Sequence, residues 1–132
     1  MGWGAGMIIA IVGTRECKNV QATVESAWCA SPWFTATPKE TLEIISGGSG
    51  DVDREAELFA RRRKIVVTTY MADWDAHGRA AGPMRNKRMA EKCDATIAIW
   101  DGWSIGTLNM ITNAIKLGKP VFIWPIAQKK VL

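Results

Sequence analysis

The 132-residue sequence has few of the residues that mark disulfide-rich or metal-binding proteins. It has three widely separated cysteines, without a CxxC pair, and a single histidine, His77. An odd cysteine count argues against a disulfide scaffold, and one histidine leaves too few clustered ligands for a zinc site. We therefore expect no metal, no cofactor, and reduced, buried thiols in a cytoplasmic protein.

Long apolar runs are also missing. The longest, Met7–Val12, is far shorter than the ~20 residues that cross a bilayer. It lacks the basic flank and the cleavage site of a signal peptide, so we expect no membrane association. Residues 1–6 precede the first predicted strand and are expected to form a flexible leader, and residues 7–132 a single domain.

The sequence also lacks a strong excess of one charge. Its 17 Lys and Arg against 13 Asp and Glu give a net charge of +4, which is modest for a chain of this length. The one dense basic run, Arg61–Lys64, is typical of a helix C-terminus, where cations offset the exposed carbonyl dipoles. A stripe that binds a phosphate backbone is the alternative, and we do not expect a nucleic-acid partner.

Short β-branched apolar runs alternate with helical segments along the chain. The predicted strands are Met7–Val12, Leu42–Ile45, Ile65–Tyr70, Thr96–Trp100 and Val121–Trp124. Helices are predicted near 17–29, after a cap at Asp51, over 83–93 and over 108–117. This alternation predicts an α/β fold, a Rossmann-like doubly wound parallel five-stranded sheet with helices on both faces.

Ligands of such sheets bind beyond the carboxyl ends of the strands, so the segments after the strands are the candidate site. The first strand is followed by Gly13, Thr14 and Arg15, a tight turn with a hydroxyl and a guanidinium that suits phosphate or simply faces solvent. The second is followed by a glycine-rich segment, either an anion cradle or a plain turn. Its candidate residues are Gly47, Gly48, Ser49, Gly50 and Asp53.

The third and fourth strands lead to further polar segments. Arg85 and Asn86 stand near the start of a helix, after a loop that carries Asp73, Asp75 and His77, while Met84 and Met89 are predicted to be core residues. A second possible phosphate nest follows the fourth strand, since glycines and hydroxyls again precede a helix. Its candidate residues are Asp101, Gly102, Trp103, Ser104, Gly106 and Thr107.

In their order along the chain, these motifs resemble the YspA-like branch of the SLOG superfamily, which groups DprA (Smf) with the LONELY GUY phosphoribohydrolases. The motifs that carry the resemblance are Gly13-Thr14-Arg15, Ser46 to Asp53, Tyr70 to Trp74, Ala81 to Asn86 and Asp101 to Thr107. The resemblance implies a SLOG-like Rossmann domain that binds a nucleotide or a nucleotide-derived ligand.

One part of the resemblance fails where the LONELY GUY enzymes carry their catalytic groups. Those enzymes carry an Arg-Lys pair four residues ahead of a Met, and Arg85 and Met89 are similar to this motif, with Asn86 where the Lys stands. Gly106-Thr107 matches the end of their glycine-rich loop. Asn109 and Met110, however, stand where those enzymes have two glutamates. Neither residue supplies the carboxylate that cleavage of an N-glycosidic bond requires.

Three functions follow from these observations. The first is a nucleotide-binding protein that acts as a sensor, carrier or sponge. The second is an N-glycosidic hydrolase or deoxyribosyltransferase that uses Asp73, Asp75 or Asp101, with Arg85, as substitute catalytic groups. The third is a DNA-binding module related to DprA. We favour the first because the acidic pair is missing.

We predict that the protein forms a homodimer or a higher oligomer. Seven tryptophans are more than a small core readily buries, tryptophan is enriched at interfaces, and symmetric dimers are common. Some of them could instead stack on a base, with Trp103 the best placed. Light scattering at tens of micromolar should give at least twice the monomer mass, and a monomer mass would contradict the prediction.

Overall fold

The fold was analysed in a computed structural model, which describes residues 6–35 and 38–127. Its strands are β1 (Met7–Gly13), β2 (Leu42–Ser46), β3 (Val66–Thr69), β4 (Ala95–Trp100) and β5 (Val121–Pro125). Its helices are α1 (Val20–Ala30), α2 (Asp51–Arg62), the short α3 (Trp74–His77), α4 (Ala81–Lys92) and α5 (Ile105–Lys116). The predicted leader lies outside the described residues, except for Gly6.

All five strands run parallel in the order β3-β2-β1-β4-β5, which confirms the predicted fold class. The central strand β1 is almost entirely apolar, and its neighbours β2 and β4 are buried with it. The chain winds outward from β1 to one edge, and then returns to continue from β4 to the other. The strand order therefore reverses between β1 and β4, where a parallel sheet leaves a crevice beyond its carboxyl ends.

The sheet separates two apolar cores, one on each face. On one face α1 and α2 pack against the strands, and Trp28 and Phe59 bring their rings within 5.4 Å between centroids. On the other face α4 and α5 cover β1 and β4 through Met89, Ala90, Met110 and Ile111. Helices on both faces bury both sides of the strands, which explains why the strands read as continuous apolar runs.

Several predicted boundaries were wrong, and the backbone shows why. Asn19 adopts a left-handed conformation (φ 51°), so α1 begins at Val20 rather than near Cys17. Helix α5 begins at Ile105, three residues before the predicted start. The third strand is shorter than predicted and lies at the sheet edge, where Val66 is 65% exposed. An edge strand has one neighbour, so its β-branched pattern does not indicate full burial.

Individual side chains also depart from the prediction. Only Cys93 is a buried thiol, since Cys17 is half-buried and Cys29 is exposed. Met89 is a core residue as predicted, but Met84 is exposed. Asp51 does not cap its own helix, because Gly50 occupies that position, and the Asp51 carboxylate instead accepts a hydrogen bond from the Cys17 N–H at 3.0 Å.

Two of the four cations of the basic run at the end of α2 are paired within the protein. Arg62 pairs with Glu55 at 2.5 Å, and Arg63 pairs with Glu25 at 2.5 Å while its guanidinium lies over the Phe59 ring. These cations stand at the carboxyl end of the helix, as the dipole argument predicts. They lie at the far end of α2 from the crevice.

The described part of the chain contains neither a membrane-spanning helix nor a cluster of metal-binding side chains. Over residues 6–35 and 38–127, no helix is both long and apolar enough to cross a membrane. The same residues contain no group of three or more His, Cys, Asp or Glu side chains arranged to hold a metal ion.

Candidate functional site

A crevice of about 470 Å³ opens beyond the carboxyl ends of β1 and β4, at the reversal of strand order. Its wall comes from the segments after β1, β2, β3 and β4 and from the N-terminal turns of α4 and α5. This volume lies in the range of pockets that hold small organic ligands. The lining residues are Val12, Gly13, Arg15, Gly47, Ser49, Asp53, Trp74, Arg79, Gly82, Pro83, Arg85, Asn86, Met89, Ser104, Ile105, Gly106, Thr107, Asn109 and Met110.

The turn after β1 connects the crevice to its neighbours through Thr14. A Cβ on Gly13 would lie 2.7 Å from the Val52 side chain, so only glycine allows the turn to pass this close to α2. The Thr14 N–H donates to the Ile99 carbonyl at 2.9 Å, and its hydroxyl oxygen accepts from the Asp101 N–H at 3.1 Å. Thr14 is buried and does not line the crevice; it joins the β1 and β4 loops beneath it.

The glycines after β2 are explained by close approaches of arginines. A Cβ on Gly47 would lie 2.7 Å from the Arg85 guanidinium, and a Cβ on Gly50 would lie 2.9 Å from the Arg15 Cα. Gly48 has a positive φ of 69°, which a side chain would strain. The glycine-rich segment is therefore shaped by contacts within the protein, and of residues 47–50 only Gly47 and Ser49 face the crevice.

Arg85 is the buried cation of the site. Its Nη1 donates to the Gly47 carbonyl, and its Nε donates to the Asn86 side-chain oxygen at 2.9 Å. Burial lowers the pKa of Arg85 below the ordinary value for arginine, although the nearby Asp53 carboxylate opposes this shift. The hydrogen bonds compensate the desolvated charge and fix the guanidinium against the β2 loop.

Asp53 is the carboxylate that faces Arg85, and it is also buried. Its Oδ2 accepts from the Ser49 N–H at 3.0 Å and from the Ser49 hydroxyl at 3.3 Å. Burial raises the pKa of Asp53 above the ordinary value for aspartate, while the Ser49 N–H and Arg85 hold the shift back. Asp53 thereby fixes the shape of the β2 loop from the first turn of α2.

Asn86 connects α4 to α5. Its Nδ2 donates to the Gly106 carbonyl at 3.1 Å and to the Asn109 side-chain oxygen at 3.0 Å. Because the Asn86 oxygen accepts from Arg85, the amide relays the position of the guanidinium to the start of α5. Asn109 therefore takes part in a hydrogen bond between two uncharged side chains within the protein.

The loop after β4 is organised by Asp101. Its Oδ1 accepts from the Trp103 N–H at 2.9 Å and from the Ser104 N–H at 2.8 Å, which places the start of α5 directly after this turn. Burial alone would raise the pKa of Asp101, but these hydrogen bonds outweigh it and lower the pKa below the ordinary value for aspartate. Asp101 and Gly102 do not line the crevice, and Trp103 is 70% exposed outside it.

The structure brings most of the predicted site residues together. The predicted residues that line the crevice are Gly13, Arg15, Gly47, Ser49, Asp53, Arg85, Asn86, Ser104, Gly106 and Thr107. Of the catalytic candidates, Asp73 and Asp101 both lie outside, and Asp73 accepts from the Ala76 N–H at 3.1 Å as the cap of α3. Arg85 is the one candidate that faces the crevice.

Sequence reasoning missed part of the wall. Trp74 lies in a segment predicted as a loop, which instead contains α3 and a turn of 3-10 helix, Gly78–Ala80, that carries Arg79. Gly82 and Asn109 complete this side. These residues could have been predicted from their place after β3, because every segment that follows a strand of a doubly wound sheet begins at the same edge.

The crevice is positively charged. Arg15, Arg79 and Arg85 line it, against Asp53 as the one carboxylate among the described lining residues. Arg85 is compensated within the protein, whereas Arg15 and Arg79 are exposed, and neither guanidinium has a hydrogen bond or ion pair to residues 6–35 and 38–127. The first N–H groups of α5 add further positive partial charge, because they have no partners within the helix.

Two solved structures share this architecture. The chain superposes on DNA processing protein A (DprA) from Streptococcus pneumoniae with a TM-score of 0.73 at 20% identity, covering 95% of this chain and 52% of that one. It superposes on the structural genomics target TM1055 with a TM-score of 0.64 at 21% identity, covering 87% of this chain and 72% of that one. The chain thus spans about half the length of DprA, and it shares the Rossmann-like fold of both structures.

The sequence itself has a phage relative. The chain is 35% identical to the Gene 61 protein of Mycobacterium phage D29 over 119 residues, which cover 86% of this chain and 92% of that protein. It therefore belongs to the same family as this phage protein. No protein-family profile matches the chain.

We predict that Asp101→Asn makes the stability less dependent on pH. A carboxylate whose pKa is lowered by folding stabilises the protein above its unfolded pKa and loses that contribution as the pH falls through its folded pKa. At neutral pH the variant should therefore have the lower free energy of unfolding, and the difference from wild type should vanish in acid. Urea denaturation at several values between about pH 7 and about pH 3 measures this difference.

Asp75→Asn is the matched control, since Asp75 is exposed and accepts no hydrogen bond from a described residue. It should follow the wild-type profile. If the free energy of unfolding of Asp101→Asn also has the same pH dependence as that of wild type, the stability of the loop does not depend on the Asp101 charge.

Proposed function

We propose that this protein is a YspA-like member of the SLOG superfamily, which binds a nucleotide or a nucleotide-derived ligand in the crevice as a cytoplasmic sensor, carrier or sponge. The observation that carries the proposal is the pair of exposed, unpaired arginines, Arg15 and Arg79, in a cavity at the reversal of strand order. Arginine presents a planar set of donors that suits a phosphate. The start of α5 supplies backbone donors for the same anion.

The buried network supports binding more than catalysis. Asp53, the carboxylate on the wall, is held by Ser49 and Arg85, and Asn109 stands where the LONELY GUY enzymes have an acidic residue. A neutral amide hydrogen-bonds a ribose hydroxyl but does not stabilise a developing cation or activate water. The DNA-binding alternative is less supported, because two of the four cations at the end of α2, Arg62 and Arg63, are paired internally and the run lies away from the crevice.

A homodimer remains part of the proposal. Two of the described tryptophans, Trp28 and Trp33, are buried, while Trp74 and Trp103 are exposed. Helix α5 also leaves Leu108 and Ile115 exposed. These two residues stand seven positions apart and so share one face of the helix. A symmetric contact through exposed apolar side chains of this kind is common in soluble oligomers.

The proposal predicts that Arg15→Ala and Arg79→Ala each weaken nucleotide binding. Loss of a charge-assisted hydrogen bond to phosphate costs about 1.5–3 kcal/mol, or about tenfold or more in Kd. Calorimetry with AMP, GMP, CMP and UMP at low salt tests this expectation. Arg61→Ala is the matched control, because it removes the same charge from the far end of α2, and it should leave the affinity unchanged.

A result in which neither Arg15→Ala nor Arg79→Ala weakens nucleotide binding, while the affinity of the protein for DNA falls steeply with salt, would contradict the proposal. It would favour the DNA-binding alternative, since contacts to a nucleic-acid backbone release counterions. If none of the four nucleotides binds, the proposal of a nucleotide-binding site is wrong.

We also predict that the protein does not release a free base from nucleoside monophosphates. The expected reason is the neutral Asn109 and Met110 in place of an acidic pair, because removal of such charges typically costs about two to four orders of magnitude in rate. Chromatography after prolonged incubation with the four nucleotides measures release. Adenine release that Asp53→Asn abolishes would instead identify an enzyme with Asp53 as its carboxylate.

A further inference from the structure

Trp74 is a large aromatic side chain that lines the crevice and remains 48% exposed. It is the first residue of α3, and the Asp73 carboxylate caps this short helix by accepting from the Ala76 N–H. The cap fixes the backbone from which the indole projects. Trp74 is thus held in place while much of its surface stays uncovered.

One edge of the indole lies against the backbone of α4. A Cβ on Gly82 would stand 3.1 Å from Cη2 of Trp74, with Cζ3 and Cζ2 within 3.9 Å. A side chain at position 82 would therefore press on the ring. Glycine inside a helix is less favourable than alanine, and the close approach of this indole accounts for its presence in the first turn of α4.

The crevice is consequently amphipathic. Its two exposed large hydrophobic side chains are Trp74 and Ile105, which is 81% exposed at the start of α5. The same cavity carries the unpaired Arg15 guanidinium, beside the β2 loop. A ligand that covers all of these groups needs both a flat apolar ring and an anionic group.

We infer that the Trp74 indole, held against Gly82, is the subsite for the heteroaromatic base of the ligand, while the anionic group binds beside Arg15. This inference rests on the proposed nucleotide binding and assigns its two ends. Stacking on an aromatic side chain tolerates different bases, because every base has a π-face. Trp103, the stacking candidate of the sequence, lies outside the crevice, so we assign the base to Trp74 instead.

The test compares AMP with ribose 5-phosphate, which carries the same phosphate and sugar but no base. Trp74→Ala should weaken AMP binding about tenfold or more and leave the affinity for ribose 5-phosphate unchanged, because only the base stacks. Trp74→Phe should retain most of the AMP affinity. Arg15→Ala should weaken both compounds. Unchanged binding of ribose 5-phosphate by Trp74→Ala shows that this variant remains folded.

Trp103→Ala is the matched control, since it removes an even more exposed indole from outside the crevice, and it should bind AMP like wild type. AMP affinity that survives Trp74→Ala, or that falls equally for both compounds, overturns the stacking subsite and leaves nucleotide binding intact. Wild-type protein that binds neither compound nor any other nucleoside monophosphate overturns the proposed function itself. The two failures are therefore distinguishable.

Discussion

The candidate site depends on one buried cation, the Arg85 guanidinium. It comes from α4, yet it hydrogen-bonds the Gly47 carbonyl after β2 and the Asn86 amide beside it, and it faces Asp53 on α2. A buried charge is costly unless it is compensated, so each of these partners is constrained by the others. Through Asn86 the same constraint reaches the start of α5. One side chain thereby fixes the relative positions of elements from both faces of the sheet.

This arrangement changes how the sequence motifs are interpreted. A glycine-rich segment between a strand and a helix is typical of a phosphate cradle. Here Gly47 and Gly50 are also required by the close approach of Arg85 and Arg15, and Asp53 holds the segment through Ser49. The glycine-rich segment therefore makes room for Arg85 and Arg15. Of the three arginines that line the crevice, Arg15 and Arg79 are the ones without a hydrogen bond or ion pair from their guanidinium to a described residue.

The neutral groups on the wall are equally informative. Asn109 accepts from Asn86, so it is part of the connection between α4 and α5. A glutamate at position 109 would place a second carboxylate, in addition to Asp53, on the wall beside Asn86. The chain has the Rossmann-like fold of DprA and TM1055. Its crevice combines this fold with a wall that carries two exposed arginines, Arg15 and Arg79, and the exposed Trp74 indole.

The sequence alone determined the fold class, because β-branched apolar runs that alternate with amphipathic segments have one economical arrangement, a parallel sheet covered on both faces. It also predicted the crevice, since segments that follow parallel strands converge at one edge. Only the tertiary structure decided which side chains face it. Trp103 and Trp74 both follow strands, but the Asp101 turn leaves Trp103 outside, whereas contact with Gly82 holds Trp74 on the wall. Such choices depend on contacts between residues that are distant in sequence, which local patterns do not encode.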